Sequence, residues 1–335
     1  MQKRILLGVA VGLASVATAI LYHYRWIDLP VPYAYNGDSP GLRQTVILPT
    51  LNTPIPAGKN AIWCSSFQLA WNHAKDDVIH APIKMESADS VLAMLNHTEQ
   101  QDSDLLPNDY FVMAGQVKNG IVDDIQRKMG ERFPGQSIPR FDSYTADDII
   151  AYAYISSEAR LSSPLDVQHT PLTFSDPSQH EVQVSSFGVQ EHASEAQRRQ
   201  LYVDYWKNGE SVITINAEEG KEIVLACIEP KATLQDTIAA VESRIPSWTL
   251  VPRSKYELRE EDTVVIPNMH WKILHHFQEL EGKRILNTQF HNAKFVTAQQ
   301  LIDFRIDHTG ARVESKSQIG IYGLCDLMQP ASSRG

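Results

Sequence analysis

The run Ile149-Ile150-Ala151-Tyr152-Ala153-Tyr154-Ile155 carries no charge. It alternates too little for a strand with one wet face, so residues 148–155 read as a strand buried on both sides. Such a strand needs cover above and below, and the rest of the chain must supply it. Helical spacing comes early. Trp63, Phe67, Ala70, Trp71, Ala74 and Val78 share one face over residues 62–78, with Ser65 or Ser66 placed to cap the start. Residues 89–96 form a second expected helix. Residues 110–117 form a strand. Residues 122–133 form an amphipathic helix with Ile125, Met129 and Phe133 on one side.

After Leu165 strand patterns dominate. Residues 172–174, 180–189, 200–205, 211–217 and 222–229 are the expected strands, and 180–187 alternates cleanly. Asn208-Gly209-Glu210 signals a hairpin turn. Residues 233–244 read as a helix capped by Thr233. Residues 262–273 read as a strand broken at Pro267. Residues 295–307 read as a helix or turn ending in the strand 301–306. Helices first and strands afterwards point to an α+β fold with several mainly antiparallel sheets, not repeating βαβ units.

Composition narrows the function. Forty acids against 30 bases leave a net charge of −10, with no long basic run, which argues against a nucleic-acid partner. Cys64, Cys227 and Cys325 form no CxxC pair, and Cys64 and Cys227 sit in apolar runs as small hydrophobes. No nucleophile elbow, phosphate loop, dinucleotide fingerprint or HExxH helix is present. The acid pairs Asp76-Asp77, Asp123-Asp124 and Asp147-Asp148 are sequence neighbours, whose side chains diverge, so they suit caps and solvated faces. His270, His275, His276 and His291 form one histidine-rich patch, with no carboxylate or cysteine at a matching ligand spacing. The expectation is therefore no enzyme, no metal and no cofactor. A metal-dependent hydrolase built on His270, His275 and His276 is the least poor enzymatic alternative. Asn96-His97-Thr98 is a glycosylation sequon.

Lys3 and Arg4 precede an uncharged run of 18 residues from Ile5 to Tyr22. That length approaches a bilayer span and exceeds a typical signal-peptide core. Residues 1–27 are expected to be an uncleaved signal anchor with one transmembrane helix. Tyr22, Tyr24 and Trp26 suit the membrane interface, and the basic amino end places the bulk of the chain outside the cytoplasm, periplasmic or extracellular. Pro30, Pro32, Pro40, Pro49, Pro54 and Pro56 mark residues 28–58 as an extended spacer, partly packed on the domain.

The order of motifs resembles the serpins. Asn60-Ala61-Ile62-Trp63-Cys64-Ser65-Ser66-Phe67-Gln68-Leu69-Ala70 looks like the serpin segment in which an asparagine and a short strand lead through serines into a buried helix. Tyr110-Phe111-Val112-Met113-Ala114-Gly115-Gln116 and the helix after it are similar to the family's next helix and strand. Residues 149–156 resemble its central strand, and Thr170-Pro171-Leu172-Thr173-Phe174 stands where a threonine and phenylalanine precede a run of strands. Residues 202–205, 211–215 and 224–230 match the stepwise strands that follow. Leu301-Ile302-Asp303-Phe304-Arg305-Ile306-Asp307-His308-Thr309-Gly310 looks like the strand that feeds the reactive-centre hinge.

The resemblance implies a serpin-like domain over residues 59–318 and a tail over 319–335. It makes Asn60, Ser65 and Ser66 shutter-like residues beneath the main sheet. It makes Gly310, Ala311, Arg312, Val313, Glu314, Ser315, Lys316 and Ser317 the hinge of a reactive loop. Inhibitory serpins insert that loop into the central sheet as a new strand. Such a hinge is small and mainly uncharged. Here Arg312, Glu314 and Lys316 share one parity, free to face solvent, while Ala311, Val313, Ser315 and Ser317 share the other. Residues 319–335 show none of the closing strands that serpins carry after the loop. The expected function is a membrane-anchored, non-inhibitory binding or scaffold module with a protein partner. The alternative is a serine or cysteine protease inhibitor acting through the loop after Gly310.

Overall fold

The computed structural model describes residues 34–35, 45–86, 90–97, 102–141, 144–175, 181–245, 257–290 and 293–323. The expected membrane segment 1–27 lies outside them, as do His291 and the expected tail beyond Gly323. No helix among the described residues is long and apolar enough to cross a membrane.

The chain opens with three short strands, β1 (Ala34–Tyr35), β2 (Thr45–Ile47) and β3 (Asn60–Ile62). Helix α1 (Ser66–His73) continues into the wider turns of Ala74–Ile79, and α2 (Ser90–His97) follows. Next come β4 (Tyr110–Gln116), α3 (Ile121–Arg132) and β5 (Ile149–Arg160). Short strands β6 (Asp166–Val167), β7 (Leu172–Ser175), β8 (Glu181–Val184) and β9 (Ser186–Val189) lead to α4 (Glu195–Arg199). A meander of β10 (Leu201–Lys207), β11 (Glu210–Asn216) and β12 (Glu222–Cys227) precedes α5 (Leu234–Glu242). The chain closes with β13 (Val264–Pro267), β14 (Met269–His276), β15 (Lys294–Asp307) and β16 (Gly310–Tyr322).

The largest sheet has the order β1-β14-β15-β16-β5-β4. Its pairs are antiparallel except β1 with β14. Three-stranded sheets β10-β11-β12 and β13-β9-β6 stand beside it, with two-stranded pairs β2-β3 and β7-β8. The expected α+β class with mainly antiparallel sheets is what forms.

Strand β5 explains its own sequence. Ile149, Ala151, Ala153 and Ile155 join the main core that contains α1, whereas Ile150, Tyr152 and Tyr154 join a second core with Ile121, Val122, Ile125 and Met129 of α3. Alternate side chains enter two cores, so no position is free to be polar. Helix α1 is sandwiched as deeply: Phe67, Leu69, Ala70 and Trp71 are all fully buried. Trp71 stacks on Phe295 of β15 at 5.6 Å, and Phe67 meets Phe277 at 4.0 Å.

Several elements differ from expectation. Residues 295–307 contain no helix: Lys294–Asp307 is one strand, because its alternate side chains Phe295, Ala298, Ile302, Phe304 and Ile306 are drawn into the core on either side of a register shift. The strand at 180–189 is two, broken at Ser185. The buried strand runs five residues beyond Ile155, to Arg160. Part of the spacer is folded: Thr45–Ile47 pairs with Asn60–Ile62, and Leu48 packs with Ala61, Trp63 and Leu234. Gly310 to Ser317 form no loop. They begin β16, which carries on through Ile319 and Ile321 into the segment expected as a tail.

Candidate functional site

The site is where the start of α1 meets β15 and β16. Strand β16 pairs with β15 from Gly310 to Tyr322 and with β5 from Gly310 to Ile321. It is a central strand with a neighbour on each side. The two-residue turn His308-Thr309 joins it to β15, pinned by Asp307, whose Oδ1 accepts from the Thr309 backbone N–H at 2.8 Å and the Thr309 hydroxyl at 2.6 Å. Gly310 takes φ +138°, and a Cβ there would lie 2.2 Å from the Ala159 carbonyl oxygen, so only glycine suits the turn's exit.

The parity read from the sequence sets the faces. Ala311, Val313, Ser315, Ser317, Ile319 and Ile321 are buried, while Arg312 is exposed and Glu314 and Lys316 are half-buried. On the outer face Glu314 holds Lys316 at 3.0 Å and Arg312 at 3.4 Å. Lys316 also donates to Ser137 Oγ at 2.8 Å and lies 5.6 Å from the Tyr154 ring centroid. The charges that look wrong for an inserting hinge are thus partnered outside the core.

On the inner face the two sets of candidate residues meet. Ser66 Oγ lies 2.8 Å from Ser315 Oγ and 2.6 Å from Ser317 Oγ, and accepts from Gln300 Nε2 at 2.8 Å. Ser315 donates to the Leu301 carbonyl at 3.0 Å, and Gln300 Nε2 also donates to the Cys64 carbonyl at 2.9 Å. One proton direction satisfies every hydroxyl: Ser317 donates to Ser66, Ser66 to Ser315, and Ser315 to Leu301. Ser66 then uses its one proton and both lone pairs. A serine nucleophile needs a base at its hydroxyl, but these partners are hydroxyls and an amide, so the arrangement is a lock between helix and sheet rather than a catalytic group. Burial pushes the Cys64 thiol up, against the hydroxyls of Ser315 and Ser66, which makes it a poor nucleophile.

Other candidates stand apart. Asn60 lies on β3 opposite Thr45. Ser65 is buried ahead of α1, and its carbonyl accepts from Leu69 N–H at 2.9 Å, with no side-chain cap. The histidines of β14 go to separate partners. His270 meets Asp303 at 3.3 Å and His276 meets Glu281 at 3.1 Å. Burial, aided by His276, pushes His275 down to about 4, and its ring meets Phe277 edge-on at 4.6 Å. No three histidine, cysteine or acidic side chains cluster as a metal site among the described residues. The sequon residue Asn96 is structural, since its amide donates to the Ile83 carbonyl at 2.8 Å and accepts from Ile83 N–H at 3.1 Å. Sequence reading passed over Gln300. The available signal was an amide at an inward position between Ala298 and Ile302. Asp148, placed by its sequence among acids suited to caps and solvated faces, is instead fully buried and accepts from Gly323 N–H at 2.9 Å, holding the end of β16.

A six-stranded sheet filled by its own β16 and seated on a buried helix, with smaller antiparallel sheets beside it, defines an α+β protein. No family model matches the chain, and no curated protein matches it. Among solved structures it is similar to the viral serpin CrmA, with TM-score 0.45 and 10% identity, over 78% of this chain and 93% of that one. It is also similar to cleaved kallistatin complexed with heparin, with TM-score 0.44 and 12% identity, over 77% and 90%. Ovalbumin from emu follows, with TM-score 0.40 and 9% identity, over 80% and 83%.

Two outcomes test the site. Ser66→Ala leaves the Ser317 hydroxyl without its acceptor and removes the donor to Ser315, and should cost about 1–3 kcal/mol in chemical denaturation. Ser315→Ala should then cost less in that background than in the native chain, and additive losses would refute the shared lock. His275 favours its neutral form in the folded state, so the unfolded chain binds more protons between its ordinary value of 6.5 and about 4. Stability should therefore fall as pH drops through that window, by roughly 2–3 kcal/mol. His275→Phe should flatten this acid limb in melts across pH, and an unchanged limb would remove His275 as its cause.

Proposed function

We propose that the protein is a membrane-anchored, extracytoplasmic serpin-like module that binds a protein partner or serves as a scaffold, and does not trap proteases by loop insertion. One observation carries this reading. The residues that would form an inserting hinge, Gly310 to Ser317, already lie between β5 and β15 as part of β16. Trapping by insertion needs a vacancy in the sheet and a difference in energy between the empty and filled states. With the position filled from within the chain, cleavage elsewhere has no strand to add. The tether is supported by the uncharged run from Ile5 to Tyr22 behind Lys3 and Arg4, and the outward placement by that basic amino end.

The test is to expose the full chain, in its membrane, to a panel of serine and cysteine proteases. No denaturant-resistant covalent adduct should form, and limited cleavage should leave the melting temperature unraised. An adduct, or a large gain in melting temperature on cleavage, would overturn the non-inhibitory reading. The same membranes washed with alkaline carbonate should retain the protein, and its release would overturn the anchor.

A further inference from the structure

Strand β1 fixes where the amino-terminal part of the chain joins the main sheet. It adds to the outer side of β14 in parallel, with Ala34 opposite Ile273 and Tyr35 opposite Leu274. Parallel pairing means that the chain arrives at Ala34 from the Met269 end of β14. The neighbours define what stands at that end. Met269 pairs with Ile306, so the His308-Thr309 turn is there. Only Asn268 separates Met269 from β13, whose Val265 is 46% exposed. At the opposite end His276 pairs with Gln299, beside the start of β15, where Val296 is 48% exposed.

The tether between anchor and sheet is short. The anchor read from the sequence ends at residue 27, seven steps before Ala34. Seven residues of fully extended chain span at most about 25 Å. Seven positions back from Ile273, along β14 and into β13, is Ile266, next to Val265. The intervening sequence Asp28-Leu29-Pro30-Val31-Pro32-Tyr33 holds two prolines and no glycine, a composition that favours extended chain over a reversal. Charge adds a second limit. The net charge of −10, and Glu260, Glu261 and Asp262 just ahead of β13, disfavour an anionic surface.

We infer that the domain stands on the bilayer with the Met269 end of β14 downward, so that β13 meets the headgroup layer of a zwitterionic leaflet at Val265. This rests on the anchored reading above and adds to it which surface the lipid covers. One valine binds lipid weakly. The short tether supplies the rest, by holding that surface at a high effective concentration beside the bilayer. The His308-Thr309 turn then also faces the membrane. A partner from solution meets the sides of the domain or its Val296 end.

The test uses the full chain in phosphatidylcholine vesicles that carry a headgroup spin label. A bimane attached at Val265→Cys should lose most of its emission, and one at Val296→Cys should keep it, after subtraction of the native chain labelled in parallel. Both sites are exposed, so neither change disturbs the core. A long Gly-Ser insert after Asp28 should restore emission at position 265, because a flexible tether no longer holds the domain down. Protein retained through an alkaline carbonate wash but unquenched at 265, or quenched equally at 296, would overturn this orientation and leave the anchor standing. Quenching at 265 that survives the insert would overturn the tether as its cause. Release by the wash would overturn the anchor and the orientation together.

Discussion

The seating of Gly310–Tyr322 between β5 and β15 is the constraint on which the rest of the fold depends. Without that strand, β5 and β15 would each present an open edge in the middle of the sheet, and α1 would face a gap. With it, the inner face becomes continuous, and small side chains at Ala151, Ala153, Ala298, Ser315 and Ser317 allow α1 to lie close against it. Ser66 closes the contact by bonding to two residues of β16 and one of β15. A buried hydroxyl cluster of this kind is costly when partly satisfied and specifying when complete. It holds α1 and β16 in one relative position.

That seating also governs how the function is argued. A strand that is short of partners can move. A strand bonded on both sides, clamped by a tight turn at Gly310 and by Asp148 at Gly323, has its backbone groups already used. The surface left for recognition is the outer face and the edges. On the outer face the charges of β16 are balanced by neighbours, so steering by a strong single-sign field is not a feature of that face. The edges are where backbone groups remain to be shared.

The sequence made the alternation at 311–317 legible, because parity depends only on the pleat. Charged Arg312, Glu314 and Lys316 fall on one side whether the segment is a loop about to insert or a strand already in place. What parity could not say is which of these it is. That depends on the tertiary environment of Ile319 and Ile321, apolar residues that read as the start of a tail until β5 lies beside them. The all-apolar run of β5 was legible for the same reason: a residue buried on either face leaves no polar position. The start of β15 was misread as a helix or turn. Its spacing of apolar residues changes at the shift between Phe295 and Thr297, and only pairing with β16 resolves that change as a bulge. Ser66 was legible through its motif, but its partner Gln300 was not, since a glutamine in a strand usually faces water.

Amide hydrogen exchange across residues 311–321 tests the central claim most directly. Seated as described, these amides should exchange with the slowest group in the protein, alongside those of β5 and β15. Exchange at the rate of an exposed loop, with β5 and β15 still protected, would show that the strand is not in the sheet and would contradict the account.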